Sequence, residues 1–452
     1  MALDSKQKSS SSISSETVPY KFGATIEHHE DYSPSDCEKN DPGQLEHAPE
    51  GTASLGKTIF MVLKAFVGTG VVFLPGSFVS GGLIFSICLL IFISIVCTIS
   101  IHLLVTTRSK IGGTYGGIGE SLYGRWMRYA IAFFVALTQM GFVASYMIFI
   151  STNIGIAIDT LTECHAAFDS KYIIWMAILV IIPMTWIRKI GRLSWIVIIA
   201  DTCILFCLIV VLYYCSDKIA REGAGPNIIM MNSNDFALMI GTAVFAFEGI
   251  AMVVPIVEGM KKPEKFPLAV NIGMGIITVV FIIIGTIGYV AFGDQTKASV
   301  IFNLPQTALS STTQIVYSCG MLFSSPFMLY PVIVSLEKSL FRDRSGKLHF
   351  KWKWLKNLTR SMVALVCAAV SFGVGADSLD KFVSLVGSVA CMPLCFIFPA
   401  MFHYKVTNGT WKKGGDILLG VFGAAVMVYT MYVNINSWVH PSPKAPAAVC
   451  GA

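Results

Sequence analysis

Lys64-Ala65-Phe66-Val67-Gly68-Thr69-Gly70 and Phe245-Ala246-Phe247-Glu248-Gly249-Ile250 decide how this chain folds. Each interrupts a long apolar segment near its middle. The first does so with Gly-Thr-Gly, where each glycine costs a helix about 1 kcal/mol relative to alanine, and the second with a Glu-Gly pair. In lipid such breaks persist only where the freed backbone groups are buried in protein or line a wet cavity. Paired interruptions at corresponding places in two halves of a chain point to the binding elements of a transporter.

The surroundings of these stretches are those of a membrane protein. The chain has 452 residues, 54% hydrophobic and 13% charged, and its mean hydropathy is +0.67; soluble domains lie well below this. The formal charge of +6 invites a nucleic-acid reading, but the basic residues sit in short runs between apolar stretches, as topology signals do. From Leu55 onward eleven apolar stretches reach the roughly 17 to 25 residues that a bilayer requires. They run over 56–79, 82–107, 128–158, 171–187, 193–215, 235–258, 267–292, 312–338, 357–374, 381–403 and 414–438. The expected architecture is therefore an all-α polytopic bundle of eleven transmembrane helices.

Lysine and arginine alternate between the two sets of loops, 21 in the set that holds Arg108, Arg188, Lys261, Arg360 and Lys405 against six in the set that holds Lys171, Lys218, Arg221, Lys297, Lys381 and Lys444. The positive side is cytoplasmic, which predicts a cytoplasmic N-terminus and, for an odd span count, a luminal C-terminus. The expected domains are a disordered acidic tail over 1–55, a transmembrane domain over 56–438 and a short non-cytoplasmic tail over 439–452. Within the transmembrane domain, repeat one covers 56–215, repeat two 235–403 and an extra helix 414–438. The tail carries ten acidic residues against four basic ones and no apolar periodicity, a composition that cannot bury a core.

Other motifs carry less. Gly112-Gly-Thr-Tyr-Gly-Gly-Ile-Gly-Glu120 matches neither GxxxxGK[ST] nor GxGxxG after a strand, so a short interfacial helix over Tyr115 to Trp126 is expected in place of a phosphate loop. Lys351-Trp-Lys-Trp-Leu-Lys356 reads as a headgroup anchor, not a nucleic-acid patch. The twelve cysteines show no CxxC and no metal spacing; Cys203/Cys207 and Cys391/Cys395 read as small packing residues. Cys164 and Cys215 fall on the non-cytoplasmic side, where a disulfide and two thiols are both open. No cofactor is expected.

Ionisable residues deep in a span cost about 2.5 to 3.5 kcal/mol on insertion scales. Lys64 and Asp201 each lie about eight residues from the cytoplasmic end of their span, a depth of roughly 12 Å, so an ion pair is expected, with snorkelling of Lys64 toward headgroups as its alternative. Glu248 falls near the midplane beside Gly249. Two roles are open for it: a protonatable group that couples proton movement to a substrate, or a permanent cap on unwound backbone. Ser324 and Ser325 bring hydroxyls to the same region, although serines on membrane helices commonly bond their own backbone. Tyr146 sets a phenol at midplane depth, a candidate substrate contact or simple aromatic packing.

Leu63-Lys-Ala-Phe-Val-Gly-Thr-Gly-Val-Val-Phe-Leu-Pro75, Gly141-Phe-Val-Ala-Ser-Tyr146, Gly241-Thr-Ala-Val-Phe-Ala-Phe-Glu-Gly-Ile250 and Met260-Lys-Lys-Pro-Glu-Lys-Phe-Pro267 together resemble the amino acid/auxin permease family, most of all its fungal vacuolar exporters, with lysosomal proton-assisted transporters as more distant relatives. The resemblance spans residues 54 to 440 and implies the leucine-transporter type of fold, two inverted five-helix repeats plus one helix. It further implies that the amides around Gly68, Thr69 and Gly70 take a substrate carboxylate and that the carbonyls around Phe245, Phe247 and Glu248 take its ammonium. A helix N-terminus left by a break does present unpaired N–H groups to an anion. The function that the resemblance implies is secondary amino-acid transport from vacuole or lysosome to cytosol with protons, the expected partners being an amino acid of neutral side chain, protons and the bilayer. An amino-acid sensor signalling through the tail is the alternative. An intramembrane enzyme lacks the paired aspartates or Ser/His arrangement that its chemistry needs.

Overall fold

The computed structural model describes residues 53–66, 68–163, 169–187, 190–341 and 350–440. The acidic tail through residue 52, Cys164 and the C-terminal stretch beyond 440 lie outside the described residues, and with them the expectations of disorder and of a Cys164–Cys215 bridge; Cys215 itself is buried.

Glycines and prolines punctuate the helices. Helix α1 (Leu55–Phe66) gives way to a 3-10 turn over Thr69–Phe73, and α2 (Leu74–Gly81) restarts with Pro75 in its first turn, where a missing N–H costs nothing. The two halves are bent by 47°. Gly82 at φ 83° turns the chain into α3 (Leu83–Ile111), which Gly112 at φ 76° ends. Thr114 caps α4 (Tyr115–Tyr123) by accepting the Gly117 N–H at 3.2 Å. This helix is shorter than the sequence suggests. Gly124 at φ 86° stops it, because a left-handed residue breaks the ladder, and Trp126 belongs instead to α5 (Arg125–Leu161). At 37 residues α5 is about 55 Å long, well beyond a hydrocarbon core.

Helix α6 (Ile173–Thr185) follows a turn in which Asp169 caps the Lys171 N–H, and α7 (Ile190–Glu222) returns. Helices α8 (Phe236–Ala246) and α9 (Ile250–Glu258) form one span with a narrow interruption. Then come α10 (Phe266–Phe292), α11 (Ala308–Phe341) and α12 (Phe350–Val374). Helix α13 (Leu379–Val386) runs through two π-helical turns, Gly387–Cys391 and Pro393–Ile397, into α14 (Phe398–Val406), and α15 (Thr410–Val439) closes the chain.

Among the described residues nine helices are long and apolar enough to cross a bilayer, and the bent α1–α2 pair makes ten. The segment expected over 171–187 is a shorter apolar helix, Ser170–Thr185. Burial grades across the bundle: α8–α9 and the α13–α14 span are the most enclosed, α5 follows, and α15 is the least. Between α10 and α11 the buried turn Val300–Asn303 folds back onto α2. There Gly76 lies so near the Lys297 carbonyl that a Cβ would sit 2.4 Å from its oxygen. Burial pushes the Lys297 ammonium below the usual lysine range.

Candidate functional site

The two interruptions lock into each other reciprocally. Phe66, the last residue of α1, lays its ring over Gly249, where an added Cβ would fall 2.9 Å from ring carbons; Gly70, in the first break, packs on Ala246, where a Cβ would fall 2.9 Å from the Cα. Each break therefore seats the residue that ends the opposite helix. Gly68 differs: a Cβ there meets nothing within 4 Å. Of the two glycines expected to admit a ligand to the backbone, only Gly68 borders open space, whereas the smallness of Gly70 serves the protein's own packing. The N–H of Gly68 donates to the Phe66 carbonyl at 2.9 Å, and at the other break the N–H groups of Phe247 and Glu248 donate to Ala243 and Phe245 at 3.0 and 3.4 Å. Helix α8 is also pressed from behind, since a Cβ on Gly387 would lie 1.9 Å from the Gly241 carbonyl oxygen.

Phenylalanine side chains pack in two groups around the breaks. Phe245 meets Phe142 edge to face at 4.4 Å between ring centroids and Phe73 at 6.3 Å, and Phe73 meets Phe149 at 6.0 Å. These four rings make an aromatic box beside the unwound turn. Phe247 turns the other way, 5.0 Å from Phe281, and packs with Phe66, Cys97, Ile101, Ile250 and Cys395 so closely that no water-sized space is left among them. Glu248 is buried, and its Oε1 has no hydrogen-bond partner. Cys391 and Cys395 of the π-helical turns and Tyr115 of α4 lie in its surroundings. Burial first, then Cys395 and Glu248, push the Tyr115 phenol up, and its hydroxyl donates to the Leu394 carbonyl at 2.7 Å. The backbone of Glu248 borders the break.

Lys64 Nζ lies 3.1 Å from Asp201 Oδ2, each side chain about one third exposed at 31% and 38%. The pair is peripheral to the breaks. Ser325 donates to the Met321 carbonyl at 2.8 Å, whereas the buried Ser324 hydroxyl has no partner; both follow Gly320, where α11 packs on α7 against the Ala200 carbonyl. Tyr146 is buried on α5, near enough to Tyr317 of α11 for the two phenols to interact.

Two arginines counted in the sequence as loop charges turn out to be interior. Arg108 pairs with Glu258 at 2.8 Å with 2% and 11% of the side chains exposed, and Arg360 pairs with Glu337 at 2.6 Å while donating to the Thr185 carbonyl at 2.7 Å. Burial of an unpaired charge is prohibitive, but sequence separations of 150 and 23 residues hide the partners. Beside the first pair, Ala53 exchanges backbone hydrogen bonds with Gly259 at 2.9 Å and Lys261 at 3.0 Å, which ties the start of α1 to the end of α9.

Interrupted helices locked at the centre of a polytopic bundle define a transporter fold, and solved structures share it. The structure of Mhp1 in its inward-facing conformation aligns with a TM-score of 0.58 at 14% identity, covering 86% of this chain and 91% of that one. MhsT in complex with L-phenylalanine aligns at 0.51 and 15%, covering 86% and 100%. Both are of the leucine-transporter type. Residues 51–436 match the family described as transmembrane amino acid transporter protein, and the chain belongs to that family. It is 37% identical over 393 residues to vacuolar amino acid transporter 3 of Schizosaccharomyces pombe and 40% identical over 398 residues to vacuolar amino acid transporter 3 of Saccharomyces cerevisiae. These alignments cover 87% and 85% of this chain but only 60% and 57% of the relatives. Amino acid transporter AVT3A of Arabidopsis thaliana is 30% identical over 86% of this chain and 91% of its own length.

Proposed function

We propose that this protein is a secondary transporter that carries amino acids with uncharged side chains across the vacuolar membrane into the cytosol, driven by protons. The observation that carries the reading is the reciprocal seating of the two breaks, Phe66 on Gly249 and Gly70 on Ala246, beside Gly68, where an added Cβ would meet nothing within 4 Å. In this reading the amides of the 68–70 segment take the carboxylate, the last carbonyls of α8 take the ammonium, and Tyr146 borders the site. The aromatic box favours an uncharged side chain, because nothing in four phenylalanine rings repays the desolvation of a charge. Glu248 binds the proton, and the Lys64–Asp201 pair with Ser324 and Ser325 steadies α1 against α7 and α11. The leucine-transporter arrangement makes eleven spans, counting Ser170–Thr185, as repeat one over 56–215, repeat two over 235–403 and an extra helix over 414–438. The N-terminal tail then lies in the cytosol and residues after 439 in the lumen. Family membership and the vacuolar relatives support the substrate and the membrane.

The test is tracer flux into proteoliposomes of purified protein with an imposed pH gradient and a panel of amino acids. Uphill accumulation that follows the gradient and collapses with a protonophore is the expected result. Absence of any amino-acid flux would remove the transport reading, and flux indifferent to the gradient would remove the coupling alone.

A further inference from the structure

Four buried polar side chains on α5, on α11 and in the connection between α10 and α11 lack hydrogen-bond partners. Both amide atoms of Asn153, the Tyr317 hydroxyl, the Ser299 hydroxyl and the Ser310 hydroxyl are unpaired, in residues no more than 1% exposed. Unmade hydrogen bonds in an interior are costly, and native proteins keep few of them. An asparagine with neither amide atom satisfied is the most expensive member, since it forgoes two donors and two acceptor sites. Such a group is retained where another conformation or a bound molecule satisfies it.

Their placement says what that molecule is. Phe149 is the shared wall: its ring lies 6.0 Å from Phe73 beside the first break, 5.2 Å from Tyr317 and 5.4 Å from Phe302. Asn153 follows Phe149 by four residues, on the same face of α5. Ser310 precedes Tyr317 by seven residues on one face of α11, and Ser299 opens the turn that carries Phe302. Tyr317 packs on Phe149, the ring that also belongs to the box, and Asn153 lies one helical turn from it on α5. The unpaired groups are amides and hydroxyls; none is a charge.

We infer that Asn153 and Tyr317 form the polar end of the substrate's side-chain pocket and select amino acids that finish in a carboxamide or hydroxyl. This rests on the transport reading above and specifies its substrate class. A carboxamide pairs with the Asn153 amide donor and acceptor together, and a hydroxyl pairs with one of them or with Tyr317. An aliphatic side chain leaves the asparagine unpaired, so the site itself penalises it. Pockets built to hydrogen-bond a polar group discriminate strongly against analogues that lack it, whereas an apolar pocket distinguishes a methylene only weakly.

Uptake of labelled glutamine and labelled leucine by wild type, Asn153→Leu and Tyr317→Phe in proteoliposomes tests the assignment. Wild type is expected to take up glutamine with the higher efficiency, Asn153→Leu to lower the glutamine-to-leucine ratio at least tenfold, and Tyr317→Phe to lower it several-fold. Tyr317→Phe keeps the ring and its contacts with Phe149, so the ratio stays measurable if Asn153→Leu fails to fold. Wild type that does not favour glutamine, or a ratio unchanged in the folded variants because Asn153 and Tyr317 bind only internal water, overturns the inference while leaving amino-acid transport standing. Absence of flux for both substrates in wild type instead overturns the transport reading, and the selectivity with it.

Discussion

The two helix breaks solve one problem differently. The first is wide: a 3-10 turn over Thr69–Phe73 separates halves bent by 47°, and Gly68 faces open space. The second is narrow, with α8 ending at Ala246 and α9 starting at Ile250, and its helices still form a single span that is the most enclosed in the bundle. The wide break offers backbone; the narrow one offers a side chain, Glu248. Helix α8 is also clamped backbone to backbone at Gly241 by Ser384 and Gly387, while α1 is held by the Phe66 ring on Gly249, by Val62 on Gly273 of α10, by the Ala53 backbone bonds to the end of α9 and by the peripheral Lys64–Asp201 pair. Since backbone clamps yield less readily than side-chain contacts, we expect α8 to be the fixed wall and α1 the half that moves. Substitutions at the fixed wall should cost folding, and those at the mobile half should cost transport.

The sharpest way to break that contrast is at the glycines. In Gly241→Leu the first added carbon alone would sit 2.3 Å from the Ser384 carbonyl oxygen. Overpacking costs about 1–3 kcal/mol where neighbours can shift, and here the neighbour is backbone. No monodisperse protein is expected by size-exclusion chromatography in detergent. Gly68→Ala, at φ −107° and with nothing within 4 Å of its Cβ, should elute and melt as wild type yet lose amino-acid uptake. A well-folded Gly241→Leu would mean that α8 is not the fixed wall. Gly70→Leu sits between the two. Its side chain would wedge Ala246 away, so a lowered melting temperature is expected together with lost uptake.

Glu248 tests the narrow break. Glutamine keeps the size and neutral form of a protonated glutamate but cannot release the proton. Glu248→Gln is expected to retain exchange of labelled for unlabelled amino acid and to lose accumulation driven by a pH gradient at least tenfold. Gradient-driven accumulation at the wild-type rate would reduce Glu248 to a cap on the break. A further distinction lies in Tyr115 of α4, which lies in the surroundings of Glu248. Tyr115→Phe loses the hydroxyl bonded to Leu394, and it should slow proton-coupled uptake several-fold without affecting exchange.

The breaks were readable in the sequence because glycine and glutamate are out of place in an apolar run, and such misplacement has few explanations in lipid. The seating of Phe66 on Gly249 was not readable, since 183 residues of chain separate them and only packing in three dimensions selects the pair. The end of α4 at Tyr123 was hidden for a smaller reason: Gly124 stands among other glycines, and only its positive φ marks it as the stop. Arg108 lies in the last turn of α3 and Arg360 well inside α12, but both stand where the apolar stretch meets a basic run, and composition cannot tell a loop charge there from one half of a buried pair. Asn153 drew no attention because a single amide in an apolar helix is unremarkable until both of its atoms are found unpaired.

The smallest expected effect belongs to the pair that tethers the mobile half. Lys64 and Asp201 join α1 to α7 at 3.1 Å, but each is about one third exposed, and exposed pairs are worth only about 0.2–1 kcal/mol in water. Two features raise that modestly here: the surroundings are apolar, and losing one partner leaves the other charge there alone. One feature lowers it, because the lysine stem lets the ammonium reach toward headgroups when its partner is gone. Asp201→Asn should therefore be tolerated better than Lys64→Met, which strands a carboxylate on a short side chain. The double exchange Lys64→Asp with Asp201→Lys restores both charges, although the long and short stems trade places. It should recover most of the melting temperature and uptake lost by the single charge reversals. A double-mutant cycle with a coupling near zero would show that the pair contributes no tether, leaving α1 held by Phe66 on Gly249, Val62 on Gly273 and the Ala53 backbone bonds.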